Sequence, residues 1–135
     1  MNIYSRLNPT ELLHIIIRKN DIPAGRTDIV DPDQFIQCAA IKQDKGVTYK
    51  PHRHLSQMRT GPYIPQESWV VIAGLVQVTL YDTDNTVLHT DVLEPGDISV
   101  TLQAGHNYLF LQDGSFVYEF KTGPYKGQAN DKVFI

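Results

Sequence analysis

Glu67-Ser68-Trp69-Val70-Val71-Ile72-Ala73-Gly74-Leu75-Val76-Gln77-Val78-Thr79-Leu80 is the most informative run in the chain. β-Branched and aromatic residues dominate it, and such side chains fit a pleated, half-buried surface. Gly74 interrupts the run. Two strands joined or bent at that glycine are expected, because glycine tolerates backbone angles that other residues avoid. The pattern repeats downstream. Asp82-Thr83-Asp84-Asn85 is a turn before a strand over residues 86–93, and Glu94-Pro95-Gly96-Asp97 turns again into residues 98–102. Gln112-Asp113-Gly114-Ser115 then precedes the alternating segment Phe116-Val117-Tyr118-Glu119-Phe120. Turn chemistry recurring about every dozen residues between short apolar runs predicts an antiparallel sandwich or barrel. Upstream, Pro9-Thr10-Glu11 could open a helix, but the triple Ile15-Ile16-Ile17 favours a strand.

The chain has 135 residues, room for one domain, since single domains commonly run to ~100–200 residues. Hydrophobic residues make up 41% and charged residues 20%, ordinary values for a globular protein. A formal charge of -3 and a pI near 5.9 leave no basic field for nucleic acid or an anionic membrane. The first residues, Met1-Asn2-Ile3-Tyr4-Ser5-Arg6, lack the charged-then-apolar pattern of a secretory signal. A reducing cytoplasm is the expected setting. Cys38 has no second cysteine to pair with and lies in Phe35-Ile36-Gln37-Cys38-Ala39-Ala40-Ile41, where a small buried hydrophobe is expected rather than a reactive thiol.

The five histidines are unevenly placed. His52 and His54 are separated by one residue, so on a strand both imidazoles point to the same face. Glu67 shares a strand face with Trp69, Val71 and Ala73. A carboxylate in such apolar company must be neutralised, paired or bound to a cation. His106 opens an alternating segment with Tyr108 and Phe110 on its face. Three imidazoles and a carboxylate would thus converge inside a hydrophobic barrel, a donor set for one divalent transition metal ion per chain, zinc, iron, nickel or manganese. His14 and His89 have no such neighbours and are expected to be surface or core residues.

These residues resemble the cupin superfamily. Gly46 is followed by five residues and then His52-Arg53-His54, and Glu67 by six residues and then Gly74; both spacings match the first cupin motif. Gly96-Asp97, the strand after it, and Ala104-Gly105-His106 look like the second. The resemblance spans roughly residues 37–121 and implies an all-β, single cupin-like (jelly-roll) β-barrel. Residues 1–135 would then form one domain, with a barrel core over about 35–121 on which the N-terminal strands and C-terminal tail pack. Three features depart from the pattern. Residues 55–66 make a much longer spacer before Glu67, Gln103 replaces the turn proline, and Phe110 replaces an asparagine. Gln66-Glu67-Ser68-Trp69, the ending Glu119-Phe120-Lys121-Thr122-Gly123-Pro124-Tyr125 and Asn130-Asp131-Lys132-Val133-Phe134 also resemble short cupins of bacterial surface-polysaccharide and sugar-nucleotide gene clusters.

Residues 55–66 contain Pro62, Pro65 and Gly61, which makes them a shaped loop rather than a helix. As a lid, this loop would bring Arg59 to an anionic ligand and Tyr63 against it; as a bland hairpin it would be solvated or touch a second subunit. Tyr125 could line the site as a proton donor, or its turn could simply close the barrel rim. The expected activity is that of a metal-binding enzyme on a small polar carbonyl compound, a sugar, sugar-nucleotide, keto acid or hydroxy acid. Isomerisation, epimerisation or oxygen insertion fits, with Glu67 and Tyr125 as candidate proton-moving groups. The alternatives are a non-catalytic, metal-dependent module that binds a sugar or organic acid, and a metal-free isomerase using the histidines as acid and base. Exposed apolar residues in the N-terminal strands suit a homodimer.

Overall fold

The computed structural model describes residues 1–55, 57–58, 62–63, 65–125 and 127–135, without the side chains of 57, 58, 62 and 63. In chain order the strands are β1 (Asn2–Tyr4), β2 (Leu12–Ile15), β3 (Gly25–Asp28), β4 (Ile36–Gln43), β5 (His52–His54), β6 (Gln57–Met58) and β7 (Pro62–Tyr63). They continue as β8 (Glu67–Ala73), β9 (Val76–Tyr81), β10 (Val87–Leu93), β11 (Ile98–Thr101), β12 (Gly105–Phe110), β13 (Ser115–Thr122) and β14 (Lys132–Phe134). One helical turn, α1 (Gln128–Asp131), leads into β14.

Alternation sets the two faces. Glu67, Trp69 and Val71 are buried on β8, Val76 and Val78 on β9, and His106, Tyr108 and Phe110 on β12, the two-residue period of strands with one face inward. Ten strands form two five-stranded sheets, in the orders β10-β9-β12-β5-β14 and β11-β8-β13-β4-β3. Their inner faces enclose a core that includes Ile41, Trp69, Val71, Val76, Phe110 and Val117, and each such side chain contributes about 1.5–3 kcal/mol on burial. The architecture is the expected all-β jelly roll.

The central run divides as its glycine implies, and its halves enter opposite sheets. Gly74 takes the chain round the corner at φ +79°, and a Cβ there would meet Ser115, 2.7 Å from its Cα. Ala73 departs from the expected inward face. A register shift between Phe116 and Val117 sets Ala73 opposite Phe116, and it packs in a second apolar cluster with Ile22 and Ala40. Cys38 also differs from expectation. Gln37, Ala39 and Ile41 are buried, while Cys38 is half-buried, with Phe120 as its cross-strand partner. Burial, with the charge of Glu119, pushes its thiol up to about 11, away from reactivity.

At the N-terminus β2 is a strand, paired with β1. Main-chain bonds from Ser5 to Glu11 and from Ile16 to Met1 close this ribbon on itself, and none of residues 1–17 is buried. Within residues 55–66, Gln57–Met58 pairs with Pro62–Tyr63; most of the rest of the shaped loop expected there lies outside the described residues. Among the described residues no helix is long and apolar enough to cross a membrane.

Register then determines which side chains meet. Lys121 lies between Gln37 and Glu67 across one sheet, and Glu119 between Ala39 and Trp69. In the other sheet His106 lies between His52 and Leu80, and Lys132 opposite His54.

Candidate metal centre

His52 and His54 reach inward from β5, His106 joins them from β12, and Glu67 faces them from β8 of the opposite sheet. Their exposures are 4%, 8%, 0% and 5% for His52, His54, His106 and Glu67. One donor atom from each lies within 4.8 Å of the others. Glu67 Oε1 is 3.1 Å from His106 Nε2, and Oε2 is 3.2 Å from His54 Nε2. The structure thus brings together all four residues proposed as ligands from the sequence; His14 and His89 are exposed and lie outside the cluster.

The hydrogen bonds fix how each donor is presented. His52 Nδ1 is 2.8 Å from the Lys50 carbonyl; a carbonyl only accepts, so Nδ1 carries the proton and Nε2 keeps its lone pair. Trp69 Nε1–H donates to Glu67 Oε1 at 2.9 Å, steering the carboxylate. His106 is fully buried; its Nε2 faces Glu67 Oε1 at 3.1 Å, but its Nδ1 has no hydrogen-bond partner. A buried polar group left unsatisfied costs about 1–3 kcal/mol. Three imidazoles and one carboxylate are the donor chemistry of a divalent transition metal, and four buried donor atoms gathered within 4.8 Å of one another fit such an ion.

Charge sharpens the site. Burial lowers the His52 pKa to about 4, helped by the nearby Lys132 ammonium. Burial would lower His54 too, but Asp131 and Glu67 outweigh it and raise its pKa to about 9. Burial opposes ionisation of Glu67, yet contacts with His106 and His54 hold its carboxyl well below the usual range. Asp131 is likewise held down, against its burial, by His54 and Lys121. Burial and the charge of Lys121 lower the Lys132 ammonium.

Asp131 and Lys132 were not identified as site residues from the sequence. Asp131 Oδ2 lies 3.2 Å from His54 Nδ1 and 3.6 Å from Lys121 Nζ. Lys132 Nζ lies 3.3 Å from His52 Nε2. Both come from the C-terminal tail, where neither periodicity nor spacing marks them; only pairing of β14 with β5 brings them in.

A cavity of about 540 Å³ opens beside the cluster, lined among others by His52, Glu67, Trp69, Lys121, Tyr125 and Lys132. Trp69 and Tyr108 stack in parallel, centroids 3.9 Å apart, and form one wall. Arg26 and Glu119 also line the cavity, and Arg26 donates to both Glu119 oxygens, at 2.7 and 3.1 Å. Tyr125 reaches this cavity, its ring 4.3 Å from Lys121 Nζ. Arg59 lies outside the described residues. Tyr63 is described only by its backbone, on β7. A larger groove, about 890 Å³, lies elsewhere, lined by residues such as Leu80, Leu88, Val100 and Leu102. Among the described residues no ionisable cluster lines it, whereas the smaller cavity borders the His/Glu cluster.

No protein-family model matches this chain, and no curated protein does. Solved structures do. KdgF from Halomonas sp. aligns at 22% identity and TM-score 0.56, over 75% of this chain and 78% of that one. The capsular polysaccharide assembling protein CapF from Staphylococcus aureus aligns at 13% identity and TM-score 0.66, over 82% of this chain but 29% of its own. A cupin-2 domain containing protein from Shewanella frigidimarina aligns at 15% identity and TM-score 0.57, over 80% of this chain and 95% of that one. Against CapF, then, the present chain spans under a third of its neighbour's length.

Proposed function

We propose that this chain, which has the cupin fold, holds one divalent transition metal ion on His52, His54, Glu67 and His106 and acts on a small polar carbonyl compound. The observation that carries the reading is the convergence of four buried donors within 4.8 Å of one another, with His106 Nε2 3.1 Å from Glu67. A bound ion would supply Lewis acidity, polarising a carbonyl or acidifying a water. The chain's own residues prepare the rest. Asp131 sits on the far nitrogen of His54, where a carboxylate fixes ring orientation and raises ligand basicity. Trp69 orients Glu67, and the Trp69–Tyr108 stack excludes water from that side. Tyr125, in the cavity, is the candidate proton donor, and Glu67 the candidate proton acceptor. Arg59 and Tyr63 are proposed to meet the substrate from the long loop. The substrate class is a sugar, sugar-nucleotide, keto acid or hydroxy acid. The name of CapF supports a setting in carbohydrate biosynthesis, and the exposed apolar N-terminal ribbon supports a homodimer; a cytoplasmic location is proposed with it.

One observation favours a second reading, that of a non-catalytic binding module. Both Glu67 oxygens already have neighbours, Trp69 N–H and His106 on one and His54 on the other, so among the described residues no free carboxylate base stands beside the donors. Elemental analysis of tag-free protein purified without chelators tests the shared premise. About one ion per chain, lost from a His52→Ala, His54→Ala double variant, is expected. Conversion of a pool of keto sugars and keto acids by loaded protein would identify an enzyme; a rise in melting temperature without conversion would identify a binder.

A further inference from the structure

Lys132 occupies an unusual position. Its Nζ lies 3.3 Å from His52 Nε2, the nitrogen that keeps its lone pair because Nδ1–H is given to the Lys50 carbonyl. That lone pair serves one partner. An ammonium and a metal ion both seek it and also repel one another, so an ion on His52 must turn Lys132 away. The lysine stays in the cavity it lines, since β14 fixes its backbone opposite His54.

Its ammonium then needs an acceptor, and the nearby carboxylates are engaged. Asp131 has His54 and Lys121 on it, Glu119 has both arms of Arg26, and Glu67 has Trp69 and two imidazoles. Lys121 for its part is held by Asp131 and by the Tyr125 ring. Three neutral imidazoles, one carboxylate and a divalent ion sum to one positive charge, and Lys132 adds another. Asp28, which also lines the cavity, accepts from Arg26 Nε at 2.8 Å, so among the described residues a free anion is what the place lacks.

Resting on the reading of the cluster as a metal site, we infer that Lys132 yields His52 Nε2 to the ion and takes in exchange the carboxylate of a 2-oxo or 2-hydroxy acid. The acid's adjacent oxygens would suit an ion that four protein donors leave open to further oxygen ligands. Metal and acid therefore bind cooperatively, each raising the affinity for the other by the same factor.

The experiment uses the full chain, Co(II) followed by its visible absorption, and oxalate, pyruvate and lactate followed by calorimetry, with methyl pyruvate as the uncharged control. Lys132→Met is expected to bind Co(II) roughly 10-fold more tightly, and the loaded variant to bind the acids about 10- to 100-fold more weakly. Methyl pyruvate should bind variant and parent alike, and EDTA should abolish acid binding by the parent. Lys132→Gln, with circular dichroism checked on both, provides a second chargeless side chain should the first fail to fold. Unchanged Co(II) and acid affinities in a folded variant overturn the proposal, as does a loaded parent that binds none of the three acids; in both cases the metal reading stands. A parent that takes up no Co(II) overturns the metal reading and this proposal together.

Discussion

His106 separates two kinds of buried histidine. A structural core imidazole is tied down through at least one nitrogen and is missed when removed. His106 is tied only to another proposed ligand, Nε2 to Glu67 Oε1 at 3.1 Å, and its Nδ1 has no partner, so His106→Leu in metal-stripped protein should lose no more than about 1–3 kcal/mol, while metal affinity falls by at least about 100-fold. Elemental analysis and thermal melts check both halves, and a large loss of stability in stripped protein would contradict the assignment. Cys38 gives a second test at this scale. Its folded-state pKa, raised to about 11, means the native thiol keeps its proton at pH 8 where an unfolded cysteine has partly lost it. Iodoacetamide should therefore alkylate native protein about 100-fold more slowly than urea-unfolded protein.

Among the elements, the β8–β9 corner and the C-terminal strand make opposite demands on the sequence. At the corner the requirement is local: positive φ and no Cβ, because Ser115 stands in the way. Gly74→Ala should cost about 2–4 kcal/mol in urea unfolding. The C-terminal element acts through one side chain. Asp131→Ala removes the carboxylate 3.2 Å from His54 Nδ1 and should weaken metal binding about 10- to 100-fold without removing a donor. A titration with a competing chelator measures it. The two elements also differ in how far they could be read beforehand. Gly74 punctuates a β-rich run, and His52-Arg53-His54 displays its shared face through a two-residue period, so both are visible locally. Asp131 and Lys132 reach the cluster only through pairing with a strand nearly eighty residues earlier, and nothing in Asn130-Asp131-Lys132-Val133 announces that partner. Arg26 and Glu119 escape notice for the same reason, and Ala73 because a bulge reverses the alternation that would have placed it.

For the molecule as a whole, the N-terminal ribbon is the part least explained by its own fold. Ile3, Tyr4, Leu12, Leu13, Ile16 and Ile17 are each 36–50% exposed, apolar surface of the kind that marks association. Deleting residues 1–17, none of which is buried, should leave the melting behaviour of the barrel intact and convert a dimer to a monomer in light scattering; a parent that is already monomeric would rule this out. An antiparallel β fold and the shared face of His52 and His54 were readable from spacing, because turns and i, i+2 geometry are written in neighbouring residues, and the jelly-roll form followed from the cupin resemblance; the cavity's charged lining was not legible, because it is assembled from four separate strands. The division of donors between sheets has a mechanical corollary. Three imidazoles hang from one wall and the carboxylate from the other, so a captured ion rivets the two walls. Sliding one past the other by even a fraction of a bond would strain every coordinate bond at once, and a loaded molecule should accordingly breathe less across its middle than an empty one.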